Sequence, residues 1–269
     1  MIKALFFDLD GTLLTSNKRL SDKTKTVLKV CRAAGIKVFT ATGRPPLLSK
    51  MLVLDSDEEE IIQDGGIFYN GGCICCGNEK INTFLPEEAV IRSIEVIKPY
   101  HEVNLAVQMM DEMHSFRHSM QDKEYKLWGV NINELISFEN LKYKHVIKMV
   151  AFSSWSLLPD LYNKLTDTVG EIANVYLTGR GDFRSIEIVD KEINKKLAID
   201  RLIGLYGFSH DEVAVFGDDY NDMEMLKGFK YSIAMGNACE EIKACAGYVT
   251  LGNDEDGIDY ALRDILNLI

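Results

Sequence analysis

The chain has 269 residues, 46% of them hydrophobic, enough for one large globular domain or two moderate ones. Its 30 basic and 41 acidic side chains give a net charge of −11. That balance argues against non-specific nucleic-acid binding but not against an anionic substrate, because a bound cation reverses the local field. No apolar run approaches the ~20 residues of a membrane span, and the first one is short and leads into Asp8, so no secretory leader is expected.

Two βα units open the sequence. A predicted strand over Ile2–Phe7 ends at Asp8-Leu9-Asp10-Gly11-Thr12. Side chains alternate on a continuing strand, so Asp8 and Asp10 would share a face. Like charges at the mouth of a core strand repel each other and lose hydration. A bound cation is the simplest relief, and oxygen-only donors suit Mg2+. Asp-Gly-Thr by itself fits an ordinary turn equally well. A helix is expected over about Asp22–Ala34, with Ser21 as N-cap and Gly35 as its stop. The strand Ile36–Thr40 then runs into Thr42-Gly43-Arg44, where a hydroxyl beside a glycine can donate to a phosphoryl oxygen. The acidic run Asp55–Glu60 reads as a solvated loop or helix end, and Ile61-Ile62 and Ile67–Tyr69 as short extended pieces.

The middle has a different texture. A helical pattern covers about Pro86–Ile97, followed by strand-like runs at Val103–Met110, Met113–His118 and Val146–Phe152. A helix near Leu157–Thr168 and strands at Ala173–Leu177 and Phe183–Val189 complete a separate α+β unit. From about Lys195 the βα rhythm returns. A helix over Lys196–Tyr206 precedes the apolar strand Val213–Phe216, which runs into Gly217-Asp-Asp-Tyr-Asn-Asp222. Later strands at Tyr231–Met235 and Tyr248–Thr250 and a helix over about Asp256–Leu268 close the chain. The alternation predicts an α/β fold with a doubly wound parallel sheet, built from both ends of the chain. In such sheets the loops at the strand carboxyl ends form the site, so Asp8, Thr42 and Asp218 would converge there.

The string FFDLDGTLL resembles the first motif of the haloacid dehalogenase superfamily of phosphotransferases, and Gly217–Asp222 its GDxxND motif. Thr42-Gly43-Arg44 is similar to the second motif. Glu187–Lys195 resembles the third motif of the Cof-type phosphatases, with Glu187-Ile188 and Asn194 fixing the register on Lys195. That family usually carries glycine where Lys196 stands here, and Lys191 and Lys196 are the rival choices. Asn70-Gly71-Gly72, Met235–Ala238 and Asn253–Gly257 resemble further segments of the same branch. An insert of this size after the second motif is similar to the subclass IIB cap, an α+β lid. The expected boundaries are a core over 1–81 and 187–269 and a cap over 82–186.

The resemblance implies Asp8 as nucleophile and Asp10 as general acid and base, with Lys195 the cation joining nucleophile and phosphate. Thr42, Gly43 and Asn221 would bind the phosphate. Asp8, Asp218 and the Asp10 carbonyl would hold Mg2+, with Asp222 acting on it through water or supporting Lys195, and Asp219 behind them. Arg44, Arg180, Asp182 and Arg184 are candidate substrate contacts, although a charged exposed hairpin explains the last three equally well. The expected activity is hydrolysis of phosphomonoesters of small metabolites, sugar phosphates first, with no nucleic-acid or membrane partner. A phosphomutase shares the Asp pair, and a non-catalytic metabolite sensor shares the fold. The P-type pumps that share the Asp chemistry need membrane helices and are set aside. The six cysteines, including Cys73, Cys75 and Cys76, lack a second cluster at zinc-ligand spacing and are expected to be reduced thiols of a cytoplasmic protein. The five histidines are scattered, and His114 and His118 fall in a strand-like pattern that implies packing or surface roles.

Overall fold

The computed structural model describes residues 1–154, 156–180 and 183–269, and for Gly179, Arg180 and Phe183 the backbone alone. Thirteen strands are described: β1 (Ala4–Phe7), β2 (Lys37–Ala41), β3 (Gly66–Phe68), β4 (Cys73–Cys76), β5 (Glu79–Asn82), β6 (Asn104–Met109), β7 (His114–Phe116), β8 (Val146–Phe152), β9 (Ala173–Arg180), β10 (Phe183–Asp190), β11 (Val213–Gly217), β12 (Tyr231–Ala234) and β13 (Tyr248–Val249). The chain divides into two compact units. One comprises Met1–Arg44, Leu52–Ile81 and Asn194–Ile269, the other Pro45–Met51 and Asn82–Ile193.

The first unit holds an eight-stranded sheet in the order β13-β12-β11-β1-β2-β3-β4-β5. β1 lies in its middle, parallel to β11 on one side and β2 on the other, with Phe7 level with Phe216 and Thr40. All four β1 residues are buried, as in a parallel sheet covered on both faces. On one face Phe6, Phe39 and Val215 pack with Ile199, Leu202 and Ile203 of the helix Lys195–Tyr206. The helix Asp22–Ala33 starts at Ser21, whose side chain accepts the Thr24 amide, as its sequence predicts. This is the α/β, doubly wound parallel core expected from the βα alternation.

The second unit is an α+β insert whose five-stranded antiparallel sheet has the order β7-β6-β8-β10-β9. Leu105, Val107, Met149, Ala151, Ile186 and Ile188 form its apolar face against the helices Glu87–Ile97 and Leu158–Val169. The opposite face buries Gln108 and His114, whose side chains meet at 2.9 Å. Burial holds His114 down at about 4, a packed neutral imidazole.

The sequence expectations shift in three places. Ile61 belongs to a helix, Ser56–Ile61, because Asp55 and Glu58 close a reciprocal capping box at its start. β10 continues to Asp190, since Ile186, Ile188 and Val189 stay buried and paired with β8 and β9, so the break falls after Ile193 and not after 186. Residues 45–51, expected with the core, pack in the second unit: a Cβ on Gly129 would meet Leu47 and Met51, and Lys50 pairs with Glu134 at 3.0 Å. No helix among the described residues is long and apolar enough to cross a membrane.

Candidate active site

The site is built where β1, β2 and β11 end. The β1 ladder is continued by the Asp8 amide, which donates to the Phe216 carbonyl and leaves the Asp8 side chain at the sheet's carboxyl edge. Gly11 turns the chain with φ +88° directly against Asp218; a Cβ there would lie 2.5 Å from Asp218 Oδ2. Asp218 follows β11, and Asp222 folds back beneath it. Both Asp218 and Asp219 amides donate to Asp222 Oδ2, at 2.9 and 3.1 Å.

Lys195 opens the helix Lys195–Tyr206, which Asn194 caps by accepting the Leu197 amide. Its ammonium is fully buried and lies 2.6 Å from Asp8 Oδ1 and 2.6 Å from Asp222 Oδ1. Of the three lysines in contention, only this one reaches Asp8; Lys196 pairs with Asp200, and Lys191 is exposed. Burial alone would favour the neutral amine, but Asp222 and Asp8 hold Lys195 well above the usual lysine range. Asp8 is pushed toward its neutral form. Burial raises its carboxyl well above the ordinary value, and the like charges of Asp222 and Asp218 add to that against Lys195. Asp8, Asp218 and Asp222 bring one carboxylate oxygen each to within 4.8 Å of one another.

Asp10 is engaged differently. Arg44 grips its carboxylate with two bonds, Nε to Oδ2 at 2.6 Å and Nη2 to Oδ1 at 2.7 Å, and Lys18 Nζ adds a third at 2.6 Å. Partial burial opposes ionisation, but these cations bring Asp10 down to about 2. In this arrangement Asp10 is a carboxylate with no proton to give. Thr42 is buried and its hydroxyl accepts the Arg44 amide at 3.2 Å. Asn221, expected on the phosphate, donates to Asn70 Oδ1 at 3.0 Å. Asp219 turns its side chain to the Tyr220 amide. In the second unit, Arg184 is half-buried on β10; Asp182 and the Arg180 side chain lie outside what is described.

Four residues join the site without having been singled out from sequence. Thr12 Oγ1 donates to Asp218 Oδ1 at 2.9 Å, and Asn237 bridges the Gly11 carbonyl (2.9 Å) and Asp218 Oδ2 (3.3 Å). Asn70 and Asn237 sit in segments whose resemblance was noted without a role. Lys18, in the left-handed region at φ +58°, carried no signal, because a lone lysine in a polar loop reads as surface charge.

The fold and these side chains define an α/β phosphatase with an inserted α+β cap. The chain belongs to the haloacid dehalogenase-like hydrolase family, whose family model matches residues 5–262. The solved structure of the subclass IIB sugar phosphatase BT4131 is similar with a TM-score of 0.82 and 30% identity, over 99% of this chain and 100% of that one. TM0651 from Thermotoga maritima gives 0.80 and 25% over 100% and 98%. YitU of Bacillus subtilis, a 5-amino-6-(5-phospho-D-ribitylamino)uracil phosphatase, is 24% identical over 269 residues, 97% of this chain and 96% of the relative.

Proposed function

We propose that this phosphatase is a Mg2+-dependent phosphomonoester hydrolase of small metabolites, sugar phosphates first among them, working through an aspartyl-phosphate on Asp8. The observation that carries the reading is the buried Lys195 ammonium between Asp8 and Asp222. A carboxylate nucleophile repels a phosphate dianion, and a fixed cation beside it offsets that repulsion without reorganisation. The donor set also fits a hard divalent ion. It is all oxygen, and the charge crowding that raises Asp8 is what such an ion relieves. Asp8, Asp218 and the Asp10 carbonyl would hold Mg2+, while Asp222 is committed to Lys195 and two backbone amides. When bound, the ion supplies neutralisation of charge on the phosphoryl oxygens.

Asp8 attacks phosphorus in line, forming the aspartyl-phosphate bond as the ester oxygen leaves. Thr42 and Asn221 donate to the phosphoryl oxygens, Asn221 after leaving Asn70. Asp10 protonates the departing oxygen and later takes a proton from the water that attacks phosphorus. To act as an acid it must first leave Arg44 and Lys18. An arriving phosphate competes for both cations, which frees the carboxyl and lets its pKa rise. Substrate choice is assigned to the cap, where Arg180, Asp182 and Arg184 remain the candidates. The names of BT4131 and YitU support a sugar or ribityl phosphate. Six cysteine thiols and an acidic chain fit a cytoplasmic location.

A phosphate-release screen over sugar phosphates, nucleotides and cofactor phosphates, with and without Mg2+, tests the reading. We expect Mg2+-dependent release, greatest with sugar phosphates, and none from folded Asp8→Asn. Normal turnover by that variant would sink the nucleophile assignment, and release confined to nucleotides would sink the substrate class.

A further inference from the structure

We propose that Cys73 and Cys75 form a modification site, a thiol pair that closes to a reversible intrachain disulfide by exchange with a low-molecular-weight disulfide. The pair lies on β4, antiparallel to β3, with Phe68 opposite Cys73 and Gly66 opposite Cys75. Alternation along the strand sends Ile74 and Cys76 into the core cluster, so Cys73 and Cys75 share the other face. Their sulfurs are 3.8 Å apart. A disulfide bond is about 2.05 Å long, so rotation about the side-chain bonds has to close less than about 2 Å.

Local structure favours this closure as a reversible one. Residues two apart on a strand stand roughly 6.6–6.8 Å apart at Cα, the upper edge of the disulfide range of about 4.4–6.8 Å. A bond formed there pulls on the ladder and is correspondingly easy to reduce, unlike a structural staple. The residue across from Cys75 is Gly66, which has no side chain to block the moving sulfur; the nearest group along that row is the Thr40 hydroxyl, which lies against the position of the missing Cβ. The two thiols also differ in access. Cys75 is partly exposed and Cys73 is buried, which sets an order of events. The Cys75 thiolate, its proton lost to solvent, attacks one sulfur of glutathione disulfide, and a glutathione thiolate leaves. Cys73 then gives up its proton and attacks the Cys75 sulfur of the mixed disulfide, expelling the second glutathione. Two protein thiols are oxidised and one external disulfide is reduced.

The test treats the full chain under native conditions with glutathione disulfide, followed by intact mass and mapping of peptides cut without reduction. The expected product has lost two hydrogens, carries a Cys73–Cys75 link, and returns to its starting mass with dithiothreitol. Cys73→Ser should stop at a stable glutathione adduct on Cys75, and Cys75→Ser should leave Cys73 unmodified. Far-UV circular dichroism checks that both variants fold, and the wild-type map is decisive without them. Retention of both hydrogens, or a bond that recruits Cys76 or Cys31 instead, would overturn the proposal.

Discussion

Replacing Lys195 with Met keeps most of the stem and deletes the charge. The ammonium is fully buried, as is Asp222, and it is 2.6 Å from each of two carboxylates. Its loss leaves Asp8, Asp218 and Asp222 together, with oxygens within 4.8 Å and without that cation. Two like charges about 5 Å apart repel by about 3 kcal/mol at an effective dielectric of about 20. Removing one partner of a buried ion pair costs about 3–5 kcal/mol by direct measurement elsewhere. We therefore expect Lys195→Met to lose about 4 kcal/mol of unfolding free energy in chelator at pH 8. The sign of the pH dependence follows from Asp8. Its carboxyl is already raised, and losing Lys195 raises it further, so the folded variant binds a proton that the unfolded chain has released. Relative stability then falls as pH rises above the ordinary carboxylate value, and the deficit shrinks between pH 8 and pH 5. Urea unfolding of both proteins at the two pH values measures this. A deficit below about 1 kcal/mol, the scale of a surface pair, or one independent of pH, would refute the electrostatic reasoning.

Other consequences can be checked separately. Arg44→Gln should raise the Asp10 carboxyl from about 2 toward its ordinary 3.8, read by carbon-13 titration. Because a lowered carboxyl stabilises the fold above its ordinary value and loses that contribution as pH falls through about 2, the variant should also unfold at higher pH in acid. An unchanged Asp10 titration would contradict the clamp. Gly11→Ala places a methyl 2.5 Å from Asp218 Oδ2 at φ +88°; we expect at least the roughly 1–2 kcal/mol of a left-handed residue and a weaker Mg2+ dependence of phosphate release. Wild-type Mg2+ affinity in that variant would show that Asp218 tolerates displacement. Chelation should abolish phosphate release and added Mg2+ restore it, whereas full activity in chelator would remove the ion from the account.

The parts of the fold legible in sequence were those with local signals. β1 and β11 are continuous apolar runs that stop at carboxylates, and buried parallel strands read that way. Ser21 announces its helix through a hydrogen bond within three residues of itself. The end of β10 was read to within a residue, but the boundary between the units was placed inside that strand, because where it falls depends on ladders to β8 and β9 that are set by distant residues. β4 and β5, four residues each, gave too few positions for a period to emerge. In the site, spacing placed Asp8, Thr42 and Asp218 at neighbouring strand ends. It could not foretell that Arg44 and Lys18 hold Asp10, since ion pairs between residues 34 and 8 apart outside a helix leave no periodic trace. Nor could it show that Asn221 meets Asn70 from 151 residues away.

In this mechanism Asp8 takes the phosphoryl group before water does. The stereochemical course at phosphorus tests it most directly, using a substrate made chiral with oxygen isotopes and turned over in isotopically labelled water. Two in-line displacements, one by Asp8 and one by water, predict net retention of configuration. Net inversion would mean a single direct attack by water and would exclude an aspartyl-phosphate on Asp8.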